Sequence, residues 1–286
     1  MKILVTGANG QLGCELKQLS GNYPEHDFLF TDFPELDITN EHAIEQFIES
    51  NPVDAAINCA AYTAVDKAES DITNAMSVNA AAPALLAAAS KRNNFLFVHI
   101  STDYVFDGKH HLPYKESHPI APASVYGMSK AEGEKAIQQS GTKALIIRTS
   151  WLYSAFGNNF VKTMRQLTAE RSELKVVCDQ IGSPTWAADL ARCILQIMPK
   201  YEGSGTEIFH YSNEGVCSWF DFACAIARSE SSNCRILPIR THEYPLPAPR
   251  PAYSVIDKTS IRNTFGITIP WWEESLEQCL NILRTK

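Results

Sequence analysis

The sequence predicts an α/β fold: a doubly wound parallel sheet joined to a smaller C-terminal α/β lobe. Three observations carry this. Short apolar runs alternate with longer amphipathic ones through the first half of the chain. A glycine-spaced turn follows the first of those runs directly. Beyond residue 148 the alternation loosens, as expected where a second lobe begins.

Lys2–Thr6 reads as a strand from its β-branched and apolar run, and 11–20 as a helix with Leu12, Leu16 and Leu19 on one face. Asp27–Thr31 is the second strand. Glu41–Ser50 is a helix, with Ala43, Ile44, Phe47 and Ile48 at helical spacing and Pro52 as its stop. A third strand at 55–59, a long alanine-rich helix at 72–91, a fourth strand at 95–100, a helix at 129–139 and a fifth strand at 144–148 follow. Such alternation implies a parallel sheet covered on both faces, with right-handed crossovers. Downstream, 151–159 is an aromatic loop, 160–169 a helix, 174–178 a strand, Ala187–Ile197 a helix, 208–211 a short strand and 219–228 a helix. Prolines at 245, 247, 249 and 251 exclude regular helix or central strand there. A last helix spans 273–283.

Composition narrows the function classes. The chain has 286 residues, 45% of them hydrophobic and 20% charged, the balance of a globular protein. A net charge of −7 with no Lys/Arg-rich run argues against a nucleic-acid partner. The longest strongly apolar stretch, 80–89, is too short and alanine-rich to span a membrane. The N-terminus lacks the pattern of a secretory signal, so a cytoplasmic protein is expected. The eight cysteines show neither CxxC nor zinc-ligand spacing and read as buried, reduced, small apolar residues.

The motifs point to a dinucleotide. Gly7, Gly10 and Gly13 are spaced GxxGxxG between strand one and helix one, with Gln11 and Leu12 opening the helix. Glycines allow a tight turn and close approach of a pyrophosphate, and the helix N-terminus supplies N–H groups and positive dipole charge. Asp32 ends strand two, where an acid binds ribose hydroxyls and repels a 2′-phosphate. No basic residue flanks it, which favours NADH over NADPH; a loop or capping acid is the alternative reading. Asp37 and Ile38 stand within reach of an adenine. Ala60, Ala61 and Tyr62 follow strand three, where small residues let a dinucleotide lie against the strand end or simply pack closely. The expected division is therefore 1–150 as dinucleotide-binding lobe and 151–286 as substrate-binding lobe, with 174–198 crossing back to the first.

Tyr126 and Lys130 are one helical turn apart, with Ser101 and Thr102 at the end of strand four. Reducing a ketone needs a proton donor at the new alkoxide. A free tyrosine has a pKa of about 10, and lowering it by about 3 units requires about 4 kcal/mol. One ammonium at about 4 Å supplies roughly that at an effective dielectric of about 20. The expectation is that Lys130 lowers the Tyr126 pKa.

With these residues assembled, the chain resembles the extended short-chain dehydrogenase/reductases, through GxxGxxG, Asn79, Ser101-Thr102 and YxxxK. Within that family it resembles the reductases of nucleotide-linked 4-keto-6-deoxysugars. The segments that carry this likeness include AYTAVDKAE (61–69), STDYVF (101–106), RTSWLY (148–153), GNNF (157–160) and DQIGSPT (179–185). The resemblance implies a Rossmann-type fold and NADH- or NADPH-dependent reduction of the carbon-4 ketone of a dTDP-linked deoxysugar, the last step to dTDP-L-rhamnose. It implies catalytic roles for Thr102, Tyr126 and Lys130. It places the cofactor on Gly10, Gln11, Leu12, Asp32, Asp37, Ile38 and the 60–62 turn, and the sugar nucleotide on Thr102, Asp103 and Trp151. For the rest of the substrate, Arg250 is a candidate diphosphate contact or else a solvated surface arginine. Asn159 and Gln180 are candidate sugar or phosphate contacts, or else loop caps.

There are departures. Tyr62 stands where some members carry histidine. Some members are dimers sharing a magnesium ion through glutamates. Glu15 matches one such position but Ala188, beside Asp189, occupies the other, so no metal is expected and Glu15 reads as a surface acid near a helix N-terminus. A homodimer is compatible with the resemblance. Two rivals share the fold: a nucleotide-sugar dehydratase or epimerase, and a non-catalytic regulatory subunit such as the methionine adenosyltransferase beta subunit. Related dehydratases have Asp-Glu after the strand-end threonine, whereas this chain has Asp103-Tyr104 and lacks that base.

Overall fold

The computed structural model describes residues 1–285. β1 (Lys2–Thr6) turns through the glycines into α1 (Gln11–Leu19), and β2 (Asp27–Thr31) leads to α2 (Glu41–Ser50). β3 (Ala55–Asn58) is followed by α3 (Val65–Ala68), α4 (Ile72–Met76) and, through a π-type turn at Ser77–Ala81, by α5 (Ala82–Asn93). β4 (Leu96–Thr102), α6 (Val125–Ser140) and β5 (Ala144–Thr149) complete the first half. The second half contains β6 (Leu152–Tyr153), α7 (Phe160–Glu170), β7 (Glu173–Val177), β8 (Ile181–Gly182), β9 (Thr185–Trp186) and α8 (Ala187–Ile197). It ends with β10 (Thr206–His210), β11 (Cys217–Ser218), α9 (Trp219–Ser229), β12 (Arg235–Ile239), α10 (Thr259–Phe265) and α11 (Trp272–Thr285).

The main sheet runs β2-β1-β3-β4-β5-β10, and every pair in it is parallel. Side chains alternate between its faces. Ile3, Val5, Ile57, Val98 and Ile147 pack under α1 and α8, while Leu4, Ala56, Phe97 and Ile146 pack under α2, α5 and α6. Apolar residues on both faces are what a doubly covered parallel sheet requires. The topology reverses between β1 and β3, and that reversal opens a crevice at the carboxyl ends of the strands. The sheet body draws on residues beyond 150. Leu190, Ala191 and Ile194 of α8 pack with Leu12 and Leu16 of α1, and Phe209, Ile261 and Phe265 join the same core. A separate core of Tyr153, Val161, Trp186, Phe222, Trp272 and Leu276 lies beside it.

Several expectations change. α6 begins at Val125, a turn before the expected 129, because Ser124 caps it by accepting the Gly127 N–H at 3.1 Å. The helical run from Ile72 to Asn93 is long and apolar enough to cross a membrane by length and composition alone, so the 80–89 stretch understates it. Its Ala75, Asn79, Ala82, Leu86 and Ala89 are buried in this fold. The π-type turn places Asn79 so that its amide bonds the Tyr62 backbone at both ends and the Ser129 hydroxyl. The 235–239 strand has no counterpart in the sequence reading because Pro238 sits inside it. It pairs only with β7, so the missing N–H costs no ladder bond. All eight cysteines are thiols outside any disulfide, but Cys14, Cys59, Cys178, Cys224 and Cys234 are only partly buried.

Candidate active site

A cleft of about 1040 Å³ runs from the glycine turn to a group of aromatic side chains. At one end Gly7 has φ +66°, and a Cβ there would lie 2.4 Å from the Ala60 nitrogen. A Cβ on Gly13 would lie 2.4 Å from the Gly7 carbonyl oxygen, so Gly13 brings α1 against the turn without itself lining the cleft. Gly10 is the N-cap of α1 and gives no side-chain cap, which leaves the first N–H groups of the helix directed outward. This cradle fits a pyrophosphate. Gly7, Gly10, Gln11, Leu12, Asp32, Asp37, Ile38, Ala60 and Ala61 all line the cleft. The Asp32 carboxylate accepts the Asn9 and Phe33 N–H groups, each at 2.9 Å. Asp37 is tied into an Asx turn by the Thr39 N–H and hydroxyl. Tyr62 does not line the cleft, and its hydroxyl donates to Asp71 at 2.9 Å.

Midway, Thr102 at the end of β4 meets Tyr126 and Lys130 of α6, all lining the cleft. Ser124 capping and helical spacing together place the last two on one side of α6. Thr102 stands beside Tyr126, and Tyr104 meets the Tyr126 ring edge-on at 5.6 Å. The expected lowering of the Tyr126 pKa by Lys130 is not present. Burial raises it to about 12, against a smaller opposing effect of the neighbouring Thr102. The reason is geometric: Lys130 donates from Nζ to the Ile100 carbonyl at 2.5 Å and lies 3.4 Å from His99 Nε2. Burial holds Lys130 itself down to about 8, with Glu134 and then Cys59 pulling the other way. Behind this group, Glu134 takes a bidentate bond from Arg148 and a hydrogen bond from Ser101 at 2.5 Å, all buried. Asp103 is buried too. One of its oxygens accepts from the Thr102 hydroxyl and the other has no partner, and burial lifts its carboxyl to about 7.

At the far end Trp151 and Trp219 stack at 3.7 Å, with planes 10° apart and Phe160 against Trp219. Trp151 has φ +48° and its ring lies 2.6 Å from where a Gly182 Cβ would stand, so a glycine at 182 makes room for it. Trp219, Phe160 and Phe222 line the cleft and were not singled out from sequence. The SWFD run at 218–221 does signal the capping box that starts α9 at Trp219, but not the neighbour it stacks on. Asn159 lines the cleft and caps α7, and also donates to Gln11 across the cleft at 3.0 Å. Glu15 is not a surface acid: it is buried and accepts the Ser154 hydroxyl at 2.6 Å, tying α1 to the segment after β6. Gln180 and Arg250 do not line the cleft, although the Arg250 charge reaches Tyr104, which does. Gln180 donates to Thr241, and Arg250 is held by Asp66 at 2.7 Å where the proline-rich segment crosses α3.

Comparison with known proteins agrees with this geometry. The family model described as RmlD substrate binding domain matches residues 1–285. A dTDP-4-dehydrorhamnose reductase of Aggregatibacter actinomycetemcomitans is 43% identical over 285 residues, covering 96% of this chain and 97% of that protein. The crystal structure of a dTDP-4-dehydrorhamnose reductase from Clostridium acetobutylicum superposes with a TM-score of 0.95 at 44% identity, covering 99% of this chain and 100% of that one. The Bacillus anthracis counterpart, solved in complex with NADP, gives 0.94 at 41% identity, covering 98% and 99%. Spanning the whole length of these relatives, the chain belongs to the RmlD substrate-binding-domain family.

Proposed function

We propose that this protein is an NAD(P)H-dependent dTDP-4-dehydrorhamnose reductase, reducing the carbon-4 ketone of dTDP-4-dehydro-L-rhamnose to dTDP-L-rhamnose. The observation that carries the reading is the meeting of Thr102, Tyr126 and Lys130 midway along a cleft whose one end is a pyrophosphate cradle. The names of the full-length relatives support it. A bound reduced nicotinamide dinucleotide would supply the hydride. Tyr126, raised to about 12, stays protonated at neutral pH, the state from which it donates to the forming alkoxide. Thr102 orients the carbonyl oxygen beside it. Lys130 supplies a titratable cation at the same position.

The two cores support a division into two lobes. Residues 1–149 with α8, β10 and α10 form the cofactor body; the segment from β6 to β9 with α7, α9 and α11 forms the substrate body. The sugar lies between Thr102, Asp103 and the Trp151–Trp219 wall. Its apolar ring face and methyl group suit a flat indole. Arg250 and Gln180 are engaged elsewhere, so no diphosphate contact is assigned to them.

Incubation with dTDP-4-dehydro-L-rhamnose and NADH or NADPH, followed at the reduced nicotinamide absorbance with dTDP-L-rhamnose identified as product, tests the activity. Binding of both ligands without turnover would instead favour a regulatory subunit. For the cofactor, Asp32 lines the cleft with no basic neighbour in Thr31-Asp32-Phe33-Pro34, which supports a preference for NADH. The expected KM for NADH is below that for NADPH, and Asp32→Ala narrows the gap by about 1 kcal/mol, or roughly fivefold. A parent enzyme that clearly prefers NADPH would overturn this part.

A further inference from the structure

Three adjacent strands present polar side chains to one another at one level of an apolar sheet. Thr6, Asn58 and His99 are in register on β1, β3 and β4, and all three are buried. They lie on the face covered by α5 and α6, as do Leu4, Ala56 and Phe97 one pleat away. The rung ends at the Lys130 nitrogen.

The hydrogen bonds along it have a fixed direction. The Ala60 N–H can only donate, and it points to Asn58 Oδ1 at 3.1 Å. The Thr6 hydroxyl donates to the same oxygen at 2.8 Å. The Asn58 amide is thereby oriented, and its NH₂ faces His99 Nδ1 at 3.2 Å. Nδ1 must then be the acceptor. Burial, and after it the neighbouring Lys130, keep the His99 pKa well below its usual value, so the ring is neutral and its single proton is on Nε2. That N–H faces Lys130 Nζ at 3.4 Å. An ammonium has no lone pair to receive it, whereas an uncharged amine has one.

We propose that His99 is a positioning residue for Lys130: oriented by Asn58 with its proton on Nε2, it turns an N–H toward the lysine nitrogen and favours the uncharged amine. This rests on the reading of Lys130 as part of the reductase site. Opposing influences reach the lysine from Glu134 on its own helix and from Cys59 after β3. The carboxylate of Glu134 is itself paired with Arg148 of β5, and the Ile100 carbonyl of β4 takes one lysine proton in either state. Burial is the first cause of the lowering of Lys130 to about 8, and the His99 N–H acts in the same direction. The folded pKa of Lys130 lies below the ordinary value, so the charge is present at lower pH and is lost as pH rises through about 8. The charge of the site is then a variable at mildly alkaline pH.

Two substitutions test the direction of the rung. In Asn58→Asp the carboxylate accepts from Ala60, Thr6 and His99 Nδ1–H, leaving Nε2 as an acceptor for the ammonium. In His99→Gln the side-chain amide is free to offer its oxygen to Lys130. Side-chain ¹⁵N NMR reads both ends directly: histidine two-bond spectra give the His99 tautomer, and a lysine Nζ titration, assigned by loss of the signal in Lys130→Met, gives the midpoint. We expect the Nε2–H tautomer in the parent protein, the Nδ1–H tautomer in Asn58→Asp, and a rise of the Lys130 midpoint by about one pH unit in both variants. The alkaline limb of kcat/KM should move with it. An Nδ1–H tautomer in the parent, or a Lys130 midpoint that does not rise in His99→Gln, overturns the proposal. A rise confined to Asn58→Asp reports only the added charge and overturns it as well. Should His99→Gln fail to fold, the parent tautomer decides. The NMR readouts do not need turnover, so failure of the reductase reading would leave this test intact.

Discussion

The two ends of the cleft are built differently. The pyrophosphate cradle at the cofactor end is made of main chain: glycines spaced three apart, a helix N-terminus and the backbone after β3. The opposite end is made of side chains, where Trp151 after β5, Phe160 on α7 and Trp219 on α9 meet from separate stretches of sequence. A main-chain site depends on where bulk is absent, so it is broken by adding an atom. A side-chain site depends on which groups converge, so it is broken by removing one. Thr102, Tyr126 and Lys130 stand between the two, delivered by one strand end and one helix.

Four substitutions sharpen this contrast. The largest effect belongs to the middle. Tyr126→Phe keeps the ring and removes the donor, and kcat should fall by roughly 10²–10⁴ with dinucleotide affinity little changed; a loss below threefold would return the proton to Thr102 or water. Next comes the cofactor end. Gly7→Ala adds one methyl in a left-handed conformation, 2.4 Å from the Ala60 nitrogen. Strain and overpacking together should cost about 2–4 kcal/mol, read as a lower Tm and weakened dinucleotide binding by calorimetry. A variant that melts and binds like the parent would show that the turn is softer than its geometry. The smallest effect is expected at the aromatic end. Trp219→Phe keeps an aromatic face and loses part of the stack, so the sugar-nucleotide KM should rise by about tenfold, the upper range of one aromatic pair, with kcat within about twofold. An unchanged KM together with a lower Tm would make the tryptophan pair a lobe-packing device and remove it from the substrate wall. Trp151→Phe, subject to the same readout, separates the two rings.

The middle group also shows where local reasoning stops. YxxxK spacing correctly puts Tyr126 and Lys130 on one side of α6, because helical geometry is a property of neighbours in sequence. It does not say which way a four-carbon stem turns. Lys130 turns to Ile100 and His99, and the anticipated effect on Tyr126 is lost to burial. Glu15 teaches the same lesson. Its place in the first turns of α1 suggests an exposed acid, yet Ser154, far along the chain, covers it. Gln180 sits in a segment that resembles those of sugar-nucleotide reductases and Arg250 in the proline-rich segment, but Thr241 and Asp66 take up their polar ends.

By itself the sequence determined the α/β class, most strand and helix positions in the first half, and the dinucleotide turn. The glycine spacing, the apolar alternation and the YxxxK pair are written over a few residues, where covalent spacing dictates geometry. Only the tertiary structure decided that α8, β10 and α10 close the sheet lobe, that Trp219 faces Trp151, and that a rung from Thr6 to His99 ends on Lys130. Those contacts join residues far apart in the chain. They exist because parallel strands in register bring side chains of equal height together and because buried polar groups must find partners, conditions met only once the whole sheet has formed.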